Sequence, residues 1–304
     1  MKRIWTGWIL GLLIPYIVTL AWTGTVRGEI RQEEANSGKT VIFDGDRSGS
    51  IDVENYLLGI VANQIPADYG EEALKAQAII ARTYIYQQMG ASNEIPESAL
   101  DLDYLEEKDL EKLWGRELFQ TYYENIKKAV AATAQTVITY EGVEIDALFH
   151  RISAGVTRTG DEKHPYLQSA ESAEDLTAED YLWIGSWSPA DFTAKINQIS
   201  ETSKLLKTQL PESIQMIARD LTGYVEEIQI GNHVYTGEEV ALALELPSSN
   251  FTLEGYEGKI RAVCKGSGHG YGMSQYGAKI KAENGETAEE ILQDYYKNII
   301  LKTE

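Results

Sequence analysis

The sequence predicts an α+β protein: helices mixed with antiparallel hairpins around one groove, preceded by a single N-terminal transmembrane helix. Three observations carry that expectation. Several stretches repeat apolar residues on a helical period. Others are β-rich runs punctuated by turn dipeptides, Glu141-Gly142 and Gly231-Asn232. The third is the uncharged N-terminal segment "IWTGWILGLLIPYIVTLAWTGTV", about 20 residues long and thus able to cross a bilayer.

Lys2 and Arg3 precede that segment, and Trp5, Trp8 and Trp22 lie near its ends, where interfacial aromatics collect. No convincing cleavage site follows it, although Thr23-Gly24-Thr25 leaves one open. Residues 1–27 are expected to be an uncleaved signal anchor with the rest of the chain on the extracytoplasmic side; a cleaved signal would make the chain secreted. Residues 28–39 are a polar linker, and 40–304 form the domain.

Within the domain "TVIFD" is a short strand. Val53, Leu57, Ile60 and Val61 share one helical face after Asp52, a natural N-cap, and Pro66 and Gly70 end that helix. Glu71 and Glu72 open the next, where negative charge suits the helix dipole, and it runs to about Met89. Residues 91–115 are acidic and irregular, expected as a surface insertion, and 117–134 as a helix. Two β-rich runs flank Glu141-Gly142. Residues 171–215, with Trp183, Trp187 and at least one helix, are read as a second surface insertion. A hairpin turns at Gly231-Asn232, another lies in "NFTLEGYEGKIRAVCKG", and the glycine-rich "GSGHGYGMSQYGA" leads into a helix. Thr287 and Glu290 form a capping box for the last helix.

A net charge of −20 and a pI near 4.6 exclude a nucleic-acid binder, which needs a basic footprint, and disfavour docking on anionic lipid. The single cysteine, Cys264, permits no intramolecular disulfide and is expected as a small buried residue in a strand. The glycine-rich loop lacks both the GK[ST] ending of a P-loop and a dinucleotide fingerprint, so phosphate binding is not expected.

Five stretches in order, "VENYLLGIVANQIPADYGEEALKAQAIIARTYIY", "TVITYEGVEIDALFHRISAGVTRT", "HPYLQSA", "GYVEEIQIGNHVYTGEEVALALELPSSNFTL" and "GHGYGMSQYGA", resemble the stage II sporulation protein D / amidase-enhancer (SpoIID/LytB) family over most of residues 40–300. The resemblance implies action on peptidoglycan glycan strands in wall remodelling, during sporulation for some members. Members of one kind look like lytic transglycosylases and members of the other enhance an amidase, so a wall amidase or endopeptidase is a candidate partner. A lytic transglycosylase needs an acid that protonates the glycosidic oxygen and then takes the proton of the sugar's 6-hydroxyl. The family's catalytic Glu falls here on Gln64, whose amide cannot do this.

Three readings follow: a non-catalytic glycan binder or scaffold; an enzyme using Asp68, Glu71 or Glu54 instead; or an ordinary enzyme in which Gln64 is an engineered or out-of-register position. A generic extracellular domain with an unrelated ligand is the remaining alternative. The resemblance further implies a groove lined by 62–72, 148–157 and 266–277, with His150, Ser153, His269, Tyr271, Ser274 and Gln275 facing substrate. Lys75 and Arg82 lie on one helix face, and Arg82 is either a substrate contact or an internal ion-pair partner. Tyr84 and Tyr86 offer rings for a sugar, one of them expected in the core. Some members hold zinc near the His150 loop; here that loop has no Cys and only His164 nearby, so neither metal nor cofactor is expected.

Overall fold

The computed structural model describes residues 37–45, 47–200 and 204–304. The expected membrane helix and most of the linker lie outside the described residues. Among the described residues no helix is long and apolar enough to cross a membrane.

Thr40–Phe43 (β1) and Gly49–Asp52 (β2) pair antiparallel, and β2 runs directly into the helix Val53–Gln64 (α1). The Asp52 carboxylate accepts the Glu54 N–H at 2.9 Å, satisfying one orphan donor of the first turn. Pro66 forces the residue before it out of helical space, and Ile65 is extended (φ −135°, ψ 143°), so α1 stops with Gln64 at its tip. The next helix, Glu71–Met89 (α2), is buried on nearly every side. Its alanines let neighbouring elements approach, and Ala73, Ala76, Ile79 and Ile80 belong to one hydrophobic core.

Glu94–Pro96 (β3) adds to β1 in parallel. The expectation for 91–115 needs correction. Leu100 and Leu110 are buried, Tyr104 stacks on Tyr56 at 4.8 Å, and the helix Glu107–Ala132 (α3) begins ten residues earlier than read, with Gly115 (φ 72°) interrupting it. Thr136–Tyr140 (β4) and Val143–Glu144 (β5) form the expected hairpin, Glu141 and Gly142 turning at φ 51° and 85°. Phe149–His150 (β6) follows.

Leu182–Trp187 (β7) and Pro189–Ile196 (α4) arise from 171–215, and Phe192 and Ile196 are fully buried. That stretch is therefore part of a second core and not a surface insertion. Ile214–Arg219 (β8), Val225–Ile230 (β9) and His233–Thr236 (β10) make an antiparallel sheet, the last pair turning at Gly231-Asn232. Gly237–Leu244 (α5) packs beside it, and Phe251–Tyr256 (β11) pairs with Lys259–Lys265 (β12), whose other edge takes β7. Cys264 is buried in β12 as expected. Met273–Ser274 (β13) pairs in parallel with β6. Gln275–Glu283 (α6), Ala288–Tyr295 (α7, with its Thr287/Glu290 capping box) and Ile300–Thr303 (β14, antiparallel to β4) return the chain to the first core.

Candidate functional site

Gln64 at the tip of α1 meets two buried amides. Gln77 of α2 donates from Nε2 to Gln64 Oε1 at 2.9 Å, and Gln275, which opens α6, donates to the Gln64 carbonyl at 2.7 Å and to Gln77 Oε1 at 3.1 Å. The chain of donors fixes each amide's orientation. It occupies the Gln64 oxygen, so Gln64 has its NH2 group left to offer. Gln77 and Gln275 belong to this buried network (0% and 4% exposed) and face no open surface.

Gln64 lines a cleft of about 330 Å3. Its walls are largely apolar, from Ile80, Ala81, Ala147, Leu148 and Phe149, while Tyr84, Asp101 and His269 add polar groups. A wider, more polar depression of about 630 Å3 adjoins it, lined by Asp44, Arg47, Asn63 and Glu97 among others. Asp101 and Leu102 line both.

The β6–β13 pairing carries the glycine-rich loop to this place. Gly266, Gly268, Gly270 and Gly272 all have positive φ (70°, 102°, 82° and 68°), which side chains resist. A Cβ on Gly272 would overlap the Leu148 carbonyl, so the loop needs glycine for close approach as well as for its dihedrals. His269 sits at the solvent-facing edge, its Nδ1 accepting the Tyr271 N–H at 3.0 Å. Crowding by neighbouring atoms pushes its pKa down, and the Arg158 charge adds to that, against a hydrogen bond to the Phe149 carbonyl.

His150 lies behind it, rings 5.8 Å apart, and is buried. Its Nδ1 donates to the Tyr271 carbonyl at 3.0 Å, while Nε2 is buried without a partner. Burial, then His269, holds its pKa down at about 3, so the ring is neutral near pH 7. Tyr271 is half-buried, with Arg158 centred 4.5 Å over its ring; Tyr224 flanks the same guanidinium at 4.8 Å.

Ser153 and Ser274 are fully buried and serve the scaffold. Both converge on Asp175, which accepts the Ser153 N–H and the Ser274 hydroxyl, each at 2.8 Å. Burial raises the Asp175 pKa against these bonds. Nothing in the acidic stretch around Asp175 marks it in the sequence. Arg82 as a substrate contact is corrected: its side chain is fully buried, bidentate to Glu54 at 2.8 and 2.7 Å, and donates to the Thr136 carbonyl at 3.2 Å. Removing one partner of such a pair costs about 3–5 kcal/mol, so the pair fastens α1 to α2. Lys75 pairs with Glu71 and Glu72. Tyr86 is in the core, and Tyr84 lines the cleft while its hydroxyl donates to the Leu100 carbonyl at 2.7 Å.

Of the stand-in carboxylates, Glu54 is consumed by Arg82, and Glu71 is held down at about pKa 2 by hydrogen bonds from Lys128 and Lys75. Neither they nor Asp68 line the Gln64 cleft. The sequence reading missed Asp101, which does. His164 is bound by Asp161 and Asp146, and no group of three or more metal-type ligands converges among the described residues.

A helix tip, an amide network and a glycine loop thus meet at one cleft. Residues 46–140, which carry Gln64 and Gln77, match the family model described as stage II sporulation protein (SpoIID). The stage II sporulation protein D of Bacillus amyloliquefaciens is 31% identical over 274 residues, covering 82% of this chain and 74% of that protein. Its namesake in Bacillus subtilis (strain 168) is 31% identical over 261 residues, with the same coverage, 82% and 74%. The amidase enhancer of Bacillus subtilis (strain 168) is 27% identical over 302 residues, 81% of this chain and 40% of that protein. The chain belongs to the stage II sporulation protein D family.

Proposed function

We propose that this chain binds the glycan strands of bacterial peptidoglycan in the Gln64 cleft, in sporulation-linked wall remodelling. The observation that carries this is the cleft's composition around a fixed amide. Apolar walls suit the C–H faces of a pyranose, and a few convergent polar groups suit its hydroxyl and acetamido groups. The Gln64 oxygen is taken by Gln77, so its NH2 is a hydrogen-bond donor for a sugar oxygen. The amide does not supply a proton to a glycosidic oxygen, so cleavage in this chain draws its acid from another group. The uncharged stretch ahead of residue 27 supports a membrane-tethered placement with this domain on the extracytoplasmic side.

A second reading has its own support in the amide at position 64 and the similarity to an amidase enhancer: glycan-bound presentation of a partner amidase or endopeptidase. Both readings require glycan binding. Co-sedimentation of the purified chain with peptide-stripped glycan strands tests it. Gln64→Ala is expected to weaken binding about three- to tenfold, the worth of one net hydrogen bond, with the circular dichroism unchanged. A wild-type chain that stays in the supernatant would refute the proposal.

A further inference from the structure

The segment 100–105 forms a strap across the tip of α1, clamped on both sides of Asp101. Ahead of it the Tyr84 hydroxyl holds the Leu100 carbonyl at 2.7 Å. Behind it Asn63 Nδ2 donates to the Asp103 carbonyl at 3.1 Å, and Tyr104 stacks on Tyr56 at 4.8 Å. Gly59 lets α1 and the strap touch, since a Cβ there would overlap the Leu105 carbonyl and the Tyr104 ring.

Between these clamps Asp101 takes a left-handed backbone, φ 47°. For an L-residue this costs on the order of 1 kcal/mol, tolerated best by Asp and Asn. Strain held in place by its surroundings is a mark of functional positions. Among the described residues that line the Gln64 cleft, Asp101 is the one with a carboxyl side chain. Among the described residues nothing binds that carboxylate, in contrast to Glu54, Glu71 and Asp44, which are committed to Arg82, to Lys75 and Lys128, and to Ser98.

We propose that Asp101 is the acid–base group of this cleft, facing a glycan whose leaving oxygen or acetamido group is held by the Gln64 amide. The inference rests on the glycan-binding reading above. The Asp101 proton passes to the glycosidic oxygen as the C1–O bond breaks, and the bonding pair leaves with that oxygen to give a free hydroxyl on the departing sugar. The 6-hydroxyl of the remaining muramyl residue then forms a bond to C1, and its proton returns to the Asp101 carboxylate. No water is consumed, and the product is a 1,6-anhydro end.

The test incubates the full chain with peptide-stripped glycan strands and counts 1,6-anhydro-muramyl ends by mass spectrometry, with glycan binding measured in parallel. Asn keeps the side-chain shape and the left-handed tolerance, so Asp101→Asn is expected to fold, and the cleavage by each variant is counted per glycan bound. Cleavage by Asp101→Asn should fall about 10²-fold or more, the usual worth of acid–base assistance, and Asp101→Glu should recover part of it. Glycan bound by wild type without anhydro ends, or undiminished cleavage by Asp101→Asn, overturns the role of Asp101 and leaves the binding reading intact. No glycan binding at all overturns both.

Discussion

At the scale of single residues, the cleft is organised around what position 64 can accept. Gln77 points an N–H at the Gln64 oxygen, and a carboxylate there would accept the same bond through one oxygen, leaving the other for substrate. Gln64→Glu therefore needs no repacking. It also places carboxyl-bearing residues at both 64 and 101 on the walls of one cleft. We expect Gln64→Glu to raise the yield of 1,6-anhydro ends about 10²-fold or more, and to do so even when combined with Asp101→Asn. Unchanged yields would show that a carboxyl at position 64 takes no part in cleavage. The importance of position 64 was readable in the sequence because the helix-breaking Pro66 and the family pattern frame it. Asp101 was not, because no local signal separates it from the acidic surface residues around it; its place in the cleft comes from the strap's contacts with Gly59 and Asn63.

Among the elements, helix caps and hairpins followed from local chemistry: Asp52, the Glu141-Gly142 and Gly231-Asn232 turns, and the Thr287 capping box all act within a few residues of themselves. The start of α3 did not, because its first turns are acidic and rest on tertiary packing of Leu110. The two-residue pairing of β6 with β13 is likewise invisible locally, yet it sets His150 behind His269. This pairing predicts a pH effect with a definite sign. His150 takes a proton near 6.5 in the unfolded chain but only near 3 when folded. Between those values the unfolded chain binds more protons, so stability is fully present above about 6.5 and is lost as pH falls toward 3. His269, also depressed, adds in the same direction. Urea midpoints should fall between about pH 7 and pH 5, and His150→Gln, which can still donate to the Tyr271 carbonyl, should show a shallower fall. Equal falls in both proteins would show that His150 is not the group responsible.

On the scale of the whole molecule, two cores must agree on the position of one loop. The first core holds α2, α6 and α7; the second holds α4, α5 and the sheets from β7 to β12. Arg158 ties them where the glycine loop passes. It donates to Asp220 at 2.6 Å, at the end of β8, and to Glu238 of α5 at 3.0 Å, while Tyr224 and Tyr271 sandwich its guanidinium. In sequence Arg158 is one polar residue in "VTRTG"; the two hairpins of the second core are legible there, but the burial of Phe192 and Ile196 from 171–215 against them is not, because it depends on strands far apart in the chain. Arg158→Ala leaves Asp220 half-buried without its cation and removes both ring contacts, which together are worth about 2–4 kcal/mol. It should also free the loop bearing His269 and weaken glycan binding about tenfold. Arg158→Lys retains a charge but neither the planar fork nor the stacking, so it should recover stability only in part and glycan binding hardly at all. Denaturant titrations and glycan co-sedimentation on both variants read these two effects separately. Full recovery of both by lysine would reduce the tie to charge alone, and normal glycan binding by Arg158→Ala would show that the second core does not position the cleft.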